Sequence, residues 1–282
     1  MNAVAPSGTP PTARLRQLDP GVHHAGRMGD GAWVMIGRDL PDRFTWSSVP
    51  PASSLSVLWG AGACTVEDAS NTVTLLSDEA LWIPEACAHR GDGAAGSDFL
   101  TLFWVEPSER PSERSLPRGN GIRSVSCAGS TRTALLRVAA LLLDGAPDAA
   151  LANDLETVRS VVYELADDAP AEPMTLTRAE AVLLERFDEA LPISAFSTLA
   201  RQSAPQFTRF FRRAWGLAPI QFRKQLRLLQ ATHALLEGRS VTRAALDAGF
   251  SDTAHFTRTF RDQYGRPPSA WAREVRGSSP EG

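Results

Sequence analysis

The sequence predicts an α+β fold: an N-terminal β-barrel with dimerisation helices, followed by a C-terminal all-α region with two helix-turn-helix units. Three observations carry this. Residues 33–105 break into short runs rich in β-branched and aromatic residues, and turn formers separate them. Residues 131–167 switch to helical spacing. Residues 206–225 then recur at 255–274, an offset of 49.

The elements follow in chain order. Residues 1–12 are Ala, Pro, Ser, Thr and Gly with few others, and no apolar run follows a basic start. Residues 1–19 therefore read as a disordered tail and not a signal peptide. Strands are expected at 33–36, 44–46, 55–59, 64–66, 72–76, 80–83 and 99–105, with Gly60, Gly62, Asp68, Asn71, Asp78 and the glycine-rich stretch 91–96 as turns. Evenly spaced short strands of this kind suggest a barrel or a sandwich. Residues 107–129, rich in Pro, Ser, Arg and Gly, read as a connector.

Two helices come next. Leu135, Leu136, Val138, Ala139, Leu142 and Leu143 stripe the first, which Gly145 and Pro147 end. In the second, Leu151, Leu155, Val158, Val162 and Leu165 step by 4, 3, 4 and 3 residues. Such a seam buries a helix against a partner helix, and it reads as a homodimer interface. The alternative is that it packs on its neighbour or on the barrel. This first domain spans residues 20–167, a linker 168–173, the helical domain 174–276 and a second tail 277–282.

Charge divides the chain. The net charge is -3, yet residues 175–282 hold 16 basic and 10 acidic residues, a net of +6. Residues 192–276 alone carry +9. A basic half joined to an acidic half suggests that one of them meets a polyanion. No apolar stretch is long enough to span a bilayer. Cys64, Cys87 and Cys127 lack CxxC spacing, so neither a disulfide framework nor a zinc site is expected, and a reducing cytoplasm fits.

The repeat is the strongest signal. At the offset of 49 it aligns Phe207/Phe256, Thr208/Thr257, Arg209/Arg258, Phe211/Phe260, Arg212/Arg261, Gly216/Gly265 and Pro219/Pro268. Phe207, Phe210 and Phe211 fall on one helical stripe and are expected to be buried. Pro205, Arg209 and Arg212 fall on the opposite face, as Ala254, Arg258 and Arg261 do in the second copy. A short helix precedes each copy, and a long one, from Pro219, separates them. A short helix, a turn and a helix with an Arg-bearing outer face make the helix-turn-helix layout.

Residues 241–260, VTRAALDAGFSDTAHFTRTF, with Tyr264, Gly265 and Pro268 after them, closely resemble the signature of the AraC/XylS family of bacterial transcription regulators. The first copy departs from that pattern, with Arg201 where the turn usually holds Gly. The resemblance implies that each outer helix enters a major groove of double-stranded DNA. Base-reading positions map onto Pro205, Thr208 and Arg209, and onto Thr253, Ala254, His255, Thr257 and Arg258. Arg212 and Arg261 would hold phosphates. RNA polymerase as a partner and effector-responsive activation are also implied, with no cofactor.

Residues 78–89 resemble, less specifically, the strand-turn segment of cupin-type sensor barrels, with Glu79, Pro84 and His89 at the usual places. The HxH pair of metal-binding cupins is missing, so no metal site is expected. If the barrel binds a small-molecule effector, Trp33, Trp46, Trp59, Trp82, Trp104 and His89 are the candidate lining. The alternative is a barrel that only dimerises or binds a protein. No G-x-S-x-G elbow, phosphate loop or dinucleotide fingerprint occurs, and no catalytic residue is expected.

Overall fold

A computed structural model describes residues 10–27, 32–40, 43–60, 62–84, 87–104, 121–127, 129–167 and 177–276. The N-terminal half contains β1 (Gly21–Arg27), β2 (Ala32–Arg38), β3 (Phe44–Ser48), β4 (Ser53–Leu58), β5 (Cys64–Glu67), β6 (Thr72–Leu75), β7 (Glu79–Ile83), β8 (His89–Gly93), β9 (Phe99–Trp104) and β10 (Arg123–Ser126). They pair antiparallel into two sheets, β1-β2-β9-β4-β7-β10 and β3-β8-β5-β6. The expected closed barrel is therefore an open pair of sheets.

Strand alternation explains the arrangement. Val34, Ile36, Leu55, Val57, Leu100 and Leu102 point to one side of the larger sheet. There they share a core with Leu135, Val138 and Ala139 of α2 (Gly129–Leu143) and Leu151, Leu155 and Val158 of α3 (Asp148–Asp167). On the other side, Leu58 and Leu81 pack with Val66 and Leu75 of the smaller sheet. Six strands are wider than four, so β1 and β2 overhang. Helices from the C-terminal half cover that overhang: Trp33 and Phe103 join the core of Trp271 and Val275. A sheet end capped this way has no reason to close.

Three strands escaped the sequence reading. β1 (GVHHAGR) and β10 (RSVS) lack apolar alternation. β8 (HRGDG) looks like a turn, yet its glycines are required inside a sheet. A Cβ at Gly91 would collide with the Trp46 ring, and one at Gly93 with the Phe44 ring, both on the neighbouring strand. The tail also departs from expectation: α1 (Pro11–Leu15) forms there, and Leu15 is fully buried.

The α3 seam is a second correction. Leu151, Leu155 and Val158 are 0%, 6% and 1% exposed within the single chain, packed with α2 and the sheet. Their apolar surface is covered within the single chain, which fits the alternative in which the seam packs on its neighbour. The side chains of Val162 and Leu165 lie outside the described residues.

The C-terminal half is helical: α4 (Arg178–Glu185), α5 (Ile193–Leu199), α6 (Ala204–Trp215), α7 (Pro219–Leu236), α8 (Val241–Asp247), α9 (Thr253–Tyr264) and α10 (Pro268–Arg276). Among the described residues, no helix is long and apolar enough to cross a membrane.

Candidate nucleic-acid interface

The repeat becomes two superposable constructions. In α6, Phe207, Phe211 and Trp215 line one face and stack at 5.7 and 5.8 Å, with Phe222 of α7 set 5.0 Å from Trp215. In α9, Phe256, Phe260 and Tyr264 repeat the ladder at 5.4 and 4.4 Å, and Trp271 of α10 takes the place of Phe222. Each ladder steps by four residues, the spacing that keeps side chains on one helical face. These rings supply the cores that hold α6 and α9 rigid.

The two helices end alike but begin with different side-chain caps. The Gln206 side-chain oxygen accepts from the Ser203 N–H at 3.1 Å and its Oγ at 2.8 Å. At α9, the Asp252 carboxylate accepts from the His255 N–H at 2.6 Å, which holds its pKa below the usual value. Gly216 (φ 73°) and Gly265 (φ 70°) close the helices in the left-handed region.

The outer faces are polar and basic. Pro205, Arg209 and Arg212 are exposed and Thr208 is half-buried; Ala254, His255, Arg258 and Arg261 are exposed, with Thr253 and Thr257 half-buried. An open concavity of about 520 Å³ runs along α6, lined by Ala204, Pro205, Thr208, Arg209 and Arg212. Elsewhere in these helices arginines pair with carboxylates: Arg186 with Glu189 at 2.5 Å, Arg243 with Asp247 at 2.8 Å. Among the described residues, no carboxylate lies within 4.0 Å of Arg209, Arg212, Arg258 or Arg261. Apart from the attraction between Arg258 and the Asp252 carboxylate, which helps lower that carboxylate's pKa, cations on two equivalent helix faces without a paired carboxylate are suited to a polyanion.

One expectation fails here. Phe210 is 51% exposed, not buried, and the Arg209 guanidinium lies over its ring at 5.8 Å. At 100° per residue, Phe207 and Phe211 flank the buried centre and Phe210 falls on the rim. In the second copy the same place holds the small, polar Thr259, which is buried.

The candidate effector lining does not converge. Trp33 stacks on Phe103 at 5.0 Å and meets Trp271 edge-on. Trp59 and Trp82 belong to the α2–α3 core, and Trp46 stacks on Phe44. His89 is buried with Nδ1 3.0 Å from the Cys87 carbonyl, and burial lowers its pKa. The side chain of Trp104 lies outside the described residues. Among the described residues, these side chains belong to separate packing clusters.

Sequence reading also missed how the halves meet. The His24 Nε2 lies 2.6 Å from the Tyr264 carbonyl at the end of α9, with its ring edge-on to Tyr264 and Trp271. A Cβ at Gly26 would stand 2.6 Å from the Val275 carbonyl. His233 of α7 reaches the Pro51 carbonyl at 2.8 Å. The two C-cap glycines, equivalent in the repeat, both abut the N-terminal half: Gly216 at Asp68–Ala69, Gly265 at Val22. Burial opposes ionisation of Asp68, yet N–H groups of Gly121, Ser70, Asn71 and Ile122 hold its pKa down. The loop touching Gly216 is thus tightly built.

A pair of helix-turn-helix units with equivalent cores, caps and bare basic faces defines a DNA-binding module. Residues 196–274 match the helix-turn-helix domain family. The transcriptional activator RhaS of Escherichia fergusonii is 34% identical over 97 residues, covering 34% of each chain. The regulator NimR of Escherichia coli is 24% identical over 235 residues, 79% of this chain and 80% of its own. Apo ToxT K231A from Vibrio cholerae superposes with a TM-score of 0.49 at 9% identity, covering 87% of this chain and 98% of that one. The C-terminal helices are thus similar to those of named helix-turn-helix transcription regulators, in line with the AraC/XylS resemblance of residues 241–260. The chain spans about a third of the length of most curated relatives it matches, NimR excepted.

Proposed function

We propose that this chain is a sequence-specific transcription regulator in which α6 and α9 each read a major groove. The observation that carries this is the pair of equivalent outer faces whose arginines have no carboxylate partner among the described residues. Pro205, Thr208 and Arg209 read bases from α6; Thr253, Ala254, His255, Thr257 and Arg258 read them from α9. Arg212 and Arg261, one turn further along, hold phosphates. Arg suits both tasks, since its planar fork binds guanine bidentately and phosphate equally well.

Residues 174–276 act as the DNA-binding domain and residues 20–167 as the regulating one, joined by 168–173. Activation, with RNA polymerase as partner, is favoured by the naming of RhaS as an activator. A cytoplasmic, non-enzymatic protein fits this role. Dimerisation, if the operator is a repeated site, uses a surface other than the buried part of α3. For the N-terminal domain two readings stand: an effector sensor, or a brace that meets only protein. A small molecule that raises Tm in a ligand screen establishes the first, because a ligand bound only to the native state stabilises it.

The base-reading assignment is tested on α9. Removing a bidentate Arg costs about 1–3 kcal/mol and relaxes preference at one base pair, whereas removing a phosphate contact weakens all sequences alike. Arg258→Ala is expected to lose discrimination between the operator and a singly substituted one. Arg261→Ala is expected to keep it, with a salt slope lower by about 1. Equal weakening of both duplexes by Arg258→Ala would place the helix differently in the groove.

A further inference from the structure

Two arginines of α7 are spent on backbone carbonyls and not on solvent or carboxylates. Arg227 donates from Nε to the Phe187 carbonyl at 2.8 Å, and from a terminal nitrogen to those of Glu189 at 2.9 Å and Asp188 at 3.3 Å. Arg223, one turn earlier on the same face, donates to the Leu191 carbonyl. Both guanidiniums are partly buried, and burial lowers their pKa values. Termination of α4 does not explain these bonds. That helix ends at Glu185, and the clasped carbonyls lie beyond it in the connection to α5.

This connection touches both DNA-binding units. Its Phe187 is buried in the core of Phe196, Phe207 and Phe211, which holds α6. Its Asp188 lies against Gly249, in the turn between α8 and α9; a Cβ at Gly249 would collide with the Asp188 carbonyl. The long helix α7 carries both cores, with Phe222, Leu226 and Leu229 in the first and Leu228, Ala231 and Leu235 in the second. Residues 187–191, clasped to α7 and wedged against the turn of the second unit, add a second brace between the units beside α7.

Building on the reading that α6 and α9 both engage DNA, we infer that Arg227 is a positioning residue: by clasping residues 187–189 against Gly249, it sets the angle between the recognition helices and hence the operator spacing the protein accepts. Its role is in the geometry of recognition and not in contact with DNA.

The test uses the full-length chain and a duplex that the chain itself selects from random sequence. The two subsites are then moved apart or together by one base pair. The wild-type chain is expected to protect both subsites and to lose at least about tenfold in affinity at either altered spacing, the loss of roughly one well-made base contact. Arg227→Lys keeps the charge but cannot reach three carbonyls from one ammonium. It is expected to compress that loss to about threefold or less, while binding a single subsite as the wild type does. If Arg227→Lys weakens all spacings and the single subsite alike, its role is merely structural and the inference is overturned. An unchanged spacing preference overturns it too. Should Arg227→Lys prove unfolded by circular dichroism, Arg223→Lys, which loses only the bond to Leu191, is measured against the same duplexes with the same two outcomes. A wild-type chain that protects no DNA removes the regulator reading itself, and the inference with it.

Discussion

Arg201 occupies the turn of the first helix-turn-helix at φ 53°, in the region where an L-residue is strained, and Gly249 fills the corresponding turn at φ 80°. The left-handed conformation costs a non-glycine residue about 1–2 kcal/mol, part of which glycine returns as unfolded-state entropy. Arg201→Gly is therefore expected to raise stability by about 0.5–1 kcal/mol in denaturant unfolding. A neutral or destabilising effect would mean that the exposed Arg201 side chain makes a stabilising contact. Gly249→Ala is expected to cost more than Arg201→Gly restores, since strain and the collision with Asp188 act together. The departure at Arg201 is legible in the sequence because the second copy supplies the comparison. The collision at Gly249 is not, because Asp188 lies 61 residues away along the chain. Phe210 shows the complementary limit: spacing places a residue on a rim but does not say whether the neighbouring core reaches it.

Elements rich in periodic apolar residues were legible; those built on glycine or polar residues were not. The aromatic ladders of α6 and α9 repeat in sequence, so their outer faces follow directly. Strand β8 carries no such signal, since its glycines exist to admit rings from β3. For α3 the period is evident, but a seam does not name what covers it, and here the chain's own α2 and sheet do. The double substitution Leu155→Glu with Val158→Glu is accordingly expected to unfold the N-terminal half, because two carboxylates cannot be buried unpaired in that core. Circular dichroism and denaturant unfolding decide this. A folded monomer produced from a dimer would instead restore the seam as an interface.

At the scale of the whole molecule, the N-terminal sheets grip both DNA-binding units, and His24 lies in the joint. Burial pushes its pKa from 6.5 to about 4, and its Nδ1 has no hydrogen-bond partner among the described residues. A depressed folded-state pKa means that the unfolded chain takes up the proton first as pH falls. Stability is thus full above pH 6.5 and declines towards pH 4, by on the order of 3 kcal/mol for this group. His24→Gln keeps a donor for the Tyr264 carbonyl without titrating, so its unfolding free energy is expected to fall less across that window. Parallel pH profiles for the two chains would exclude His24 as the cause.

If α6 and α9 each enter a major groove on one face of a duplex, their contacts must fall about one helical turn, roughly 10 base pairs, apart. Chemical footprinting of the full-length chain on its selected duplex tests this most directly. Two major-groove patches are expected at that separation, with Arg209→Ala relaxing base preference only in one patch and Arg258→Ala only in the other. A single patch, or two variants that relax the same positions, would contradict it.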